Sequence, residues 1–414
     1  MTENKISSAG EVEAVSLELQ SADQNSRNAL KEKKPRVYEK VMKYQEKFER
    51  GESIAILQFQ YDYLCNFACE HCSADDHMLN TREKKKKYKE ARSFTSKDVR
   101  ELSRQGDEMG LANIVITGGE PTTYKDFDDL VEAIDSSKWY IAQDTNGWFF
   151  DLNRARHVQS IGVDKIQISL DGLDEKSHDA FRNKPGSFKR VMRAIEAVKQ
   201  TGLALNVSTV AWKSRIRSGE MERFIIWASK NEIPLYISLA KPVGSFKGRL
   251  DEMCDSEDIK YLDDLCEANS AFTHWTPGYG LDIGCIAVKR MVSVGKYGDI
   301  MPCPYTHISL GNFFKEPLEV IINRALQIKL FAHGKKETCY IGNKDHEFVH
   351  KYLPKYQDQY SEVYNAPYTK VFDAQDFVNE HFIDSISFDG SEYTPKNNAQ
   401  IIAIDGIIGR GNKK

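Results

Sequence analysis

From Gly51 onward, short apolar segments recur at 54–59, 114–117, 140–143, 165–170, 204–210 and 235–239. Helix-like stretches separate them at 96–109, 126–137, 151–160, 187–201 and 219–230. Strand and helix in strict alternation predict a parallel sheet with helices outside it. Six strands fall short of the eight units that close a full barrel. The predicted fold class is therefore α/β, a partial (β/α)6 TIM-like barrel over 51–245. Ahead of it, Val37, Val41, Tyr44 and Phe48 follow helical spacing and predict one amphipathic helix over 36–50. Residues 1–35 are rich in Ser, Glu, Asn and Lys without periodicity, and are expected to be a disordered leader.

After Val243 the alternation stops. A helical stretch at 256–270 is expected within a linker over 246–277, followed by short strand-like pieces at 278–312 and a helix near 316–332. In the C-terminal tail, 343–414, tyrosines stand four apart at 352, 356, 360, 364 and 368. Pro354 and Pro367 interrupt any helix there, so this ladder reads as packing. Gly406, Gly409 and Gly411 lack the flanking strand and helix that a phosphate loop needs.

Charge narrows the function classes. Against 57 basic residues stand 61 acidic ones, a net charge of −4, which is poor footing for gripping phosphate backbones. The run Lys84–Lys87 sits among Arg82, Glu83, Lys89 and Glu90 and reads as solvated surface. No apolar run approaches the roughly 18 residues of a bilayer span. Residues 1–25 are polar, without the apolar core of a secretory signal. The expectation is a soluble cytoplasmic protein that binds neither nucleic acid nor membrane. Eight cysteines are too few for a disulfide-built scaffold, which leaves metal ligands, catalytic groups or buried thiols.

Three cysteines cluster in Cys65-Asn66-Phe67-Ala68-Cys69-Glu70-His71-Cys72, on the loop after the first strand. Three thiolates at this spacing hold three irons of a 4Fe–4S cube and leave the fourth open. A zinc site completed by His71 or His77 is the alternative. The second strand ends in Thr117-Gly118-Gly119-Glu120-Pro121. Its glycines let the backbone approach a ligand, and Glu120 offers an acceptor for an ammonium group; a plain Gly-Gly turn closed by proline is the alternative. A third constellation runs from Gly284-Cys285 through Gly298 to Cys303, with Cys339 further on. Residues 291–303 read as a small hairpin.

The first two motifs together resemble the radical S-adenosylmethionine (SAM) superfamily, over residues 54 to about 240. The resemblance implies that Cys65, Cys69 and Cys72 ligate a 4Fe–4S cluster whose open iron binds the amino and carboxylate groups of SAM. It implies that Gly118, Gly119 and Glu120 receive the amino group and that His71 touches the adenine. Asn146 and Ser169 stand at positions that contact the ribose or methionine part. Arg182, in His178-Asp179-Ala180-Phe181-Arg182, is the implied partner of the SAM carboxylate. The activity implied is cleavage of SAM to a 5′-deoxyadenosyl radical that removes a hydrogen atom from a substrate.

The third constellation resembles the SPASM/Twitch extension. No further cysteine-rich run exists, so the Twitch form is expected at 278–342, with one auxiliary 4Fe–4S cluster on Cys285, Cys303 and Cys339. No cysteine follows Cys339. Asp345, His346, Glu347, His350, Cys254 or Cys266 would complete the cluster, or its fourth iron is open to substrate. Cys254 and Cys266 are also candidate hydrogen-atom donors, against a bland reading as buried thiols. An auxiliary cluster that accepts an electron favours oxidation of a small-molecule or peptide substrate by dehydrogenation or cross-linking. A redox-neutral epimerase or cyclase is the alternative, and a non-SAM iron–sulfur or zinc protein the alternative from another class. A reductant such as flavodoxin or ferredoxin is the implied partner.

Overall fold

The computed structural model describes residues 28–53, 56–79, 86, 91–269, 271–276, 282–332 and 338–353, with short strand pieces at 369–370, 383–385 and 394–395. The predicted leader before residue 28, the tyrosines from 356 onward, the terminal glycines and the lysine run (save Lys86) lie outside these residues.

Six parallel strands form the centre: β1 (Ile56–Asp62), β2 (Asn113–Gly118), β3 (Tyr140–Thr145), β4 (Lys165–Ser169), β5 (Ala204–Ala211) and β6 (Leu235–Leu239). Their side chains alternate. Leu57 and Phe59, Ile114 and Ile116, and Ile166 and Ile168 are buried against the helices. On the other face stand polar residues, including Gln58, Asp144, Lys165, Gln167, Asn206 and Tyr236, which line a cavity inside the curved sheet. Helices cover the outside: α3 (Ser96–Glu108), α4 (Phe127–Ile134), α5 (Leu152–Ser160), α6 (Glu175–Phe181), α7 (Ser187–Lys199), α8 (Lys213–Arg217) and α9 (Glu220–Lys230). Thr95 and Asp98 form a reciprocal capping box that starts α3, and Val99 and Leu102 turn from it into the core.

The sheet extends past the six strands at both edges. The segment expected as a linker instead forms α10 (Ser256–Glu267) and β7 (Ala271–Thr273), which pairs in parallel with β6. A three-residue strand is too short to show a period, so the pattern of apolar positions ends one unit early. At the opposite edge β8 (Met291–Gly295) pairs in parallel with β1, and β9 (Asp299–Met301) returns antiparallel to it as the expected hairpin. Gly298 supplies the left-handed residue of its turn, at φ 86°. The following helix is shorter than expected, α11 at Leu318–Ala325.

Two further differences concern the N-terminal segment. Residues 28–33, assigned to the disordered leader, are helical. The single helix expected over 36–50 is broken at Lys43 into two, α1 (Pro35–Met42) and α2 (Tyr44–Glu49). The break lets the lysines on both pieces reach the barrel's strand-entry loops. Lys40 Nζ donates to the carbonyls of Leu111 and Lys138 at 2.8 and 2.7 Å. Lys47 Nζ donates to Met109 O, and Lys34 Nζ to Trp139 O.

Candidate active site

The cysteine loop leaves the end of β1 and is fastened from three directions. Gly119 N donates to Asp62 O at 2.7 Å, and Glu120 N to Leu64 O at 2.8 Å. A Cβ on Gly119 would lie 1.9 Å from Leu64 O, so the approach is open only to glycine. From the end of α6, Phe181 O accepts from Glu70 N at 3.1 Å; after β6, Ser245 N donates to Cys72 O at 3.0 Å. Gly244, at φ 57°, stands so close that a Cβ would meet Cys72 O at 2.0 Å.

A cavity of about 220 Å3 opens at this end of the strands. Its lining includes Cys65, Cys69, Cys72, His71, Gly118, Gly119, Glu120, Asn146, Ser169 and Arg182. The first set of sequence candidates thus converges on one space. Glu120 is buried, and its Oε1 accepts from Thr122 N, Thr122 Oγ1 and Thr145 Oγ1 at 3.1, 2.7 and 2.7 Å. Among the described residues its Oε2 accepts only from Asn146 N, at 2.6 Å, which leaves it acceptor capacity in the cavity that it lines. Asn146 also ties the loops together: its Nδ2 donates to Asn66 Oδ1 at 2.8 Å and its Oδ1 accepts from Trp148 N at 3.0 Å. The His71 ring stacks on Phe181 at 4.7 Å, and Phe181 on Trp212 at 4.6 Å.

Arg182, the expected partner of the SAM carboxylate, also lines this cavity and is held by a carboxylate of the chain. Its Nη2 pairs with Asp171 Oδ2 at 2.5 Å and its Nη1 lies 3.8 Å from Cys69 Sγ. The guanidinium is already engaged by a buried carboxylate, and it reaches the cysteine loop. Asp171 Oδ1 accepts from Thr209 Oγ1 and Val210 N, both at 3.0 Å, and the buried Arg215 Nη2 donates to Asp171 O at 3.1 Å. Burial pushes the Asp171 carboxyl up, but Arg182 foremost, then His71 and Arg215, overcome it and hold it well below the usual carboxylate range.

A second cavity, of about 310 Å3, lies deeper in the barrel and is lined by Cys285, Cys303 and Cys339. Asp144, Gln167, Tyr236 and Tyr305 line both cavities, so the two thiol groups face each other across a shared wall. Thr306 links two parts of the second group: its Oγ1 lies 3.2 Å from Cys303 Sγ and 2.7 Å from the Tyr340 hydroxyl. Desolvation, then the Glu120 charge, pushes the Cys65 thiol up to about 12; burial, then Cys339, does the same to Cys285. Thiolates at such sites need a cation, which is the chemistry iron supplies.

Cys254 and Cys266 line neither cavity. Cys254 is fully buried with its Sγ toward Ala211 O, and Cys266 lies on the core face of α10. Both are packed as core thiols, outside the lining of either cavity. Asp345 accepts from Ser256 N and Oγ at 2.9 and 2.8 Å, His350 Nε2 faces Lys344 O at 2.6 Å, and His346 Nδ1 accepts from Phe348 N at 3.1 Å. Neither these side chains nor Glu347 line the second cavity.

Sequence reasoning missed Asp171, Arg215, Asp144, Lys241 and the two wall tyrosines. A signal existed: inside segments scored as apolar, every second residue is polar, as in Lys165-Ile166-Gln167-Ile168-Ser169 and Tyr236-Ile237-Ser238. That period marks a barrel with a polar interior.

Residues 63–212 match the family model of the radical SAM superfamily, and residues 285–341 that of an iron–sulfur cluster-binding domain, SPASM. AdoMet-dependent heme synthase of Nitratidesulfovibrio vulgaris is 24% identical over 69% of this chain and 83% of its own. Mycofactocin maturase MftC of Mycolicibacterium smegmatis is 26% identical over 63% of this chain and 67% of its own. Among solved structures, Streptococcus suis SuiB bound to S-adenosylmethionine matches with a TM-score of 0.52 at 16% identity, over 76% of this chain and 79% of that one. That likeness is one of fold.

Proposed function

Since the chain belongs to the radical SAM superfamily and carries a SPASM iron–sulfur domain, we propose that it is an oxidoreductase acting at a C–H bond of a small-molecule or peptide substrate. The domains imply a 4Fe–4S cluster with SAM and an auxiliary iron–sulfur cluster. The residues fit both groups: two sets of three thiols, a glycine edge that a Cβ would fill, and a buried carboxylate with acceptor capacity to spare. When bound, the first cluster and SAM would supply the chemistry of hydrogen-atom abstraction from the substrate, and the auxiliary cluster would supply a one-electron acceptor.

The protein's own part is binding, orientation and exclusion. Cys65, Cys69 and Cys72 hold the first cluster, and Cys285, Cys303 and Cys339 a single auxiliary one. Gly118, Gly119 and Glu120 receive the SAM amino group, with Thr122, Thr145 and Asn146 fixing the carboxylate that binds it. His71, stacked on Phe181, lends a flat face beside the cluster loop, and Ser169 bounds the floor of the cavity. Arg182 positions Cys69 through its own pairing with Asp171. The observation that carries this reading is the shared wall: the two thiol groups line two cavities of the barrel interior that have Asp144, Gln167, Tyr236 and Tyr305 in common. It favours dehydrogenation or cross-linking over epimerisation, because neither remaining thiol reaches that interior.

Iron content tests the assignment. Reconstituted anaerobically, the wild type should hold about eight irons, as two four-iron clusters require. Cys303→Ala should hold about half while still cleaving SAM on reduction with dithionite. Full iron in that variant would remove the auxiliary assignment.

A further inference from the structure

Lys241, two residues beyond β6, is the charge in the first cavity that the reading above leaves without a task. Its side chain is 4% exposed and lines the cavity. Its Nζ donates to Ser238 Oγ and Leu239 O, both at 2.6 Å, and stands 3.8 Å over the Tyr305 ring. These partners are neutral. Among the described residues no carboxylate pairs with it, whereas the cavity's other cation, Arg182, is matched by Asp171. Burial disfavours the ammonium, and the charges that offset this are the thiols of Cys339, Cys303, Cys285 and Cys254. No carboxylate of the described residues pairs with it in the first cavity, which leaves room there for an anion that arrives from outside the chain.

The position says where that anion sits. Glu120, assigned to the SAM amino group, follows β2, and Lys241 follows β6; three strands separate β2 from β6 in the sheet. The amino and carboxylate groups of SAM are one carbon apart, so with its amino group on Glu120 the SAM carboxylate is assigned to the Glu120 side, an assignment the Kd for SAM tests below. Tyr305, beneath the Lys241 ammonium, and Tyr236 also wall the cavity that reaches Cys285, Cys303 and Cys339. We propose that Lys241 binds a carboxylate of the substrate, anchoring it between the SAM site and the auxiliary cysteines, with Ser238 and the Tyr305 hydroxyl bounding the same subsite. This inference rests on the radical SAM reading and names the substrate class of that site.

A matched pair of probes tests it: 3-phenylpropionate and its amide, titrated by calorimetry into anaerobic holoenzyme saturated with SAM. The acid should bind at least about tenfold tighter than the amide. Lys241→Met should lose that preference with the Kd for SAM unchanged, and Lys241→Arg should keep it. Equal binding of acid and amide by the wild type, binding of neither, or a preference that survives Lys241→Met would overturn the proposal. A Kd for SAM raised about tenfold in Lys241→Met would overturn it too, assigning the carboxylate to SAM. So would a shifted auxiliary-cluster potential in Lys241→Met without any acid preference in the wild type, which makes the lysine that cluster's counter-charge. Dithionite-driven SAM cleavage is read in the same samples. Cleavage without acid preference sinks this inference alone, and absence of cleavage sinks the reading beneath it.

Discussion

At the scale of single residues, the account turns on charges buried next to the cysteine loop. Asp171 is fully buried between Arg182 and Arg215 and is the hinge of that network. Replacing it by Asn leaves the buried Arg182 guanidinium short of a counter-charge, while Arg215 keeps Glu220 at 2.8 Å; the expected loss is about 3–5 kcal/mol in stability at pH 7. Because the carboxyl is held below its unfolded value, its contribution is present above about pH 4 and fades as pH falls below that. Thermal melts of wild type and Asp171→Asn should therefore converge in acid; a constant difference from pH 7 to pH 3 would contradict the assignment. This network was not legible in the sequence. Asp171 and Arg215 are 44 positions apart and belong to no local motif, unlike the cysteines, whose spacing together with the Gly-Gly-Glu-Pro strand end points to iron. Arg182 was legible only as a member of a pattern, and its pairing with a carboxylate was not.

At the scale of elements, glycines decide how closely the loops approach. Gly244 follows β6, binds no metal and touches Cys72 only through the backbone. A Cβ there would meet the Cys72 carbonyl, and the residue is left-handed as well, so Gly244→Ala should displace the third cysteine. The expected result is loss of about four of the irons, as if a ligand had been removed. Gly248, also left-handed at φ 83°, has nothing within 4 Å of a Cβ. Gly248→Ala is the control: a strain cost of about 1 kcal/mol with iron content intact. Equal iron in both variants would show that the turn does not hold the loop. The Gly-Gly-Glu edge was legible because it carries its own motif; Gly244 lies 172 residues from Cys72 and meets it only because β6 is curved round toward β1. Similarly, β7 escaped notice because three residues are too few to show a period, and the N-terminal helix was drawn unbroken because apolar spacing says nothing about where buried lysines must reach.

At the scale of the molecule, one sheet carries both thiol groups. The hairpin that precedes Cys303 is joined to the barrel through β8 and β1, with Gln60 Nε2 donating to Ser293 Oγ at 3.1 Å and Lys296 pairing with Asp62 at 2.8 Å. The auxiliary cysteines are therefore built into the barrel wall and look into its interior. The alternation of strands and helices was enough to read the barrel, since each unit repeats the same pattern. The closeness of the two sites was not, because it depends on an edge strand joining β1 from more than 200 residues away. Among the described residues no helix is long and apolar enough to cross a membrane. The most direct test of the whole account is an anaerobic incubation of reconstituted protein with SAM and dithionite, followed by chromatography for 5′-deoxyadenosine. The account predicts that wild type forms it and that Cys65→Ala does not; iron-loaded wild type that leaves SAM intact, or a Cys65→Ala variant that still cleaves it, would contradict the account.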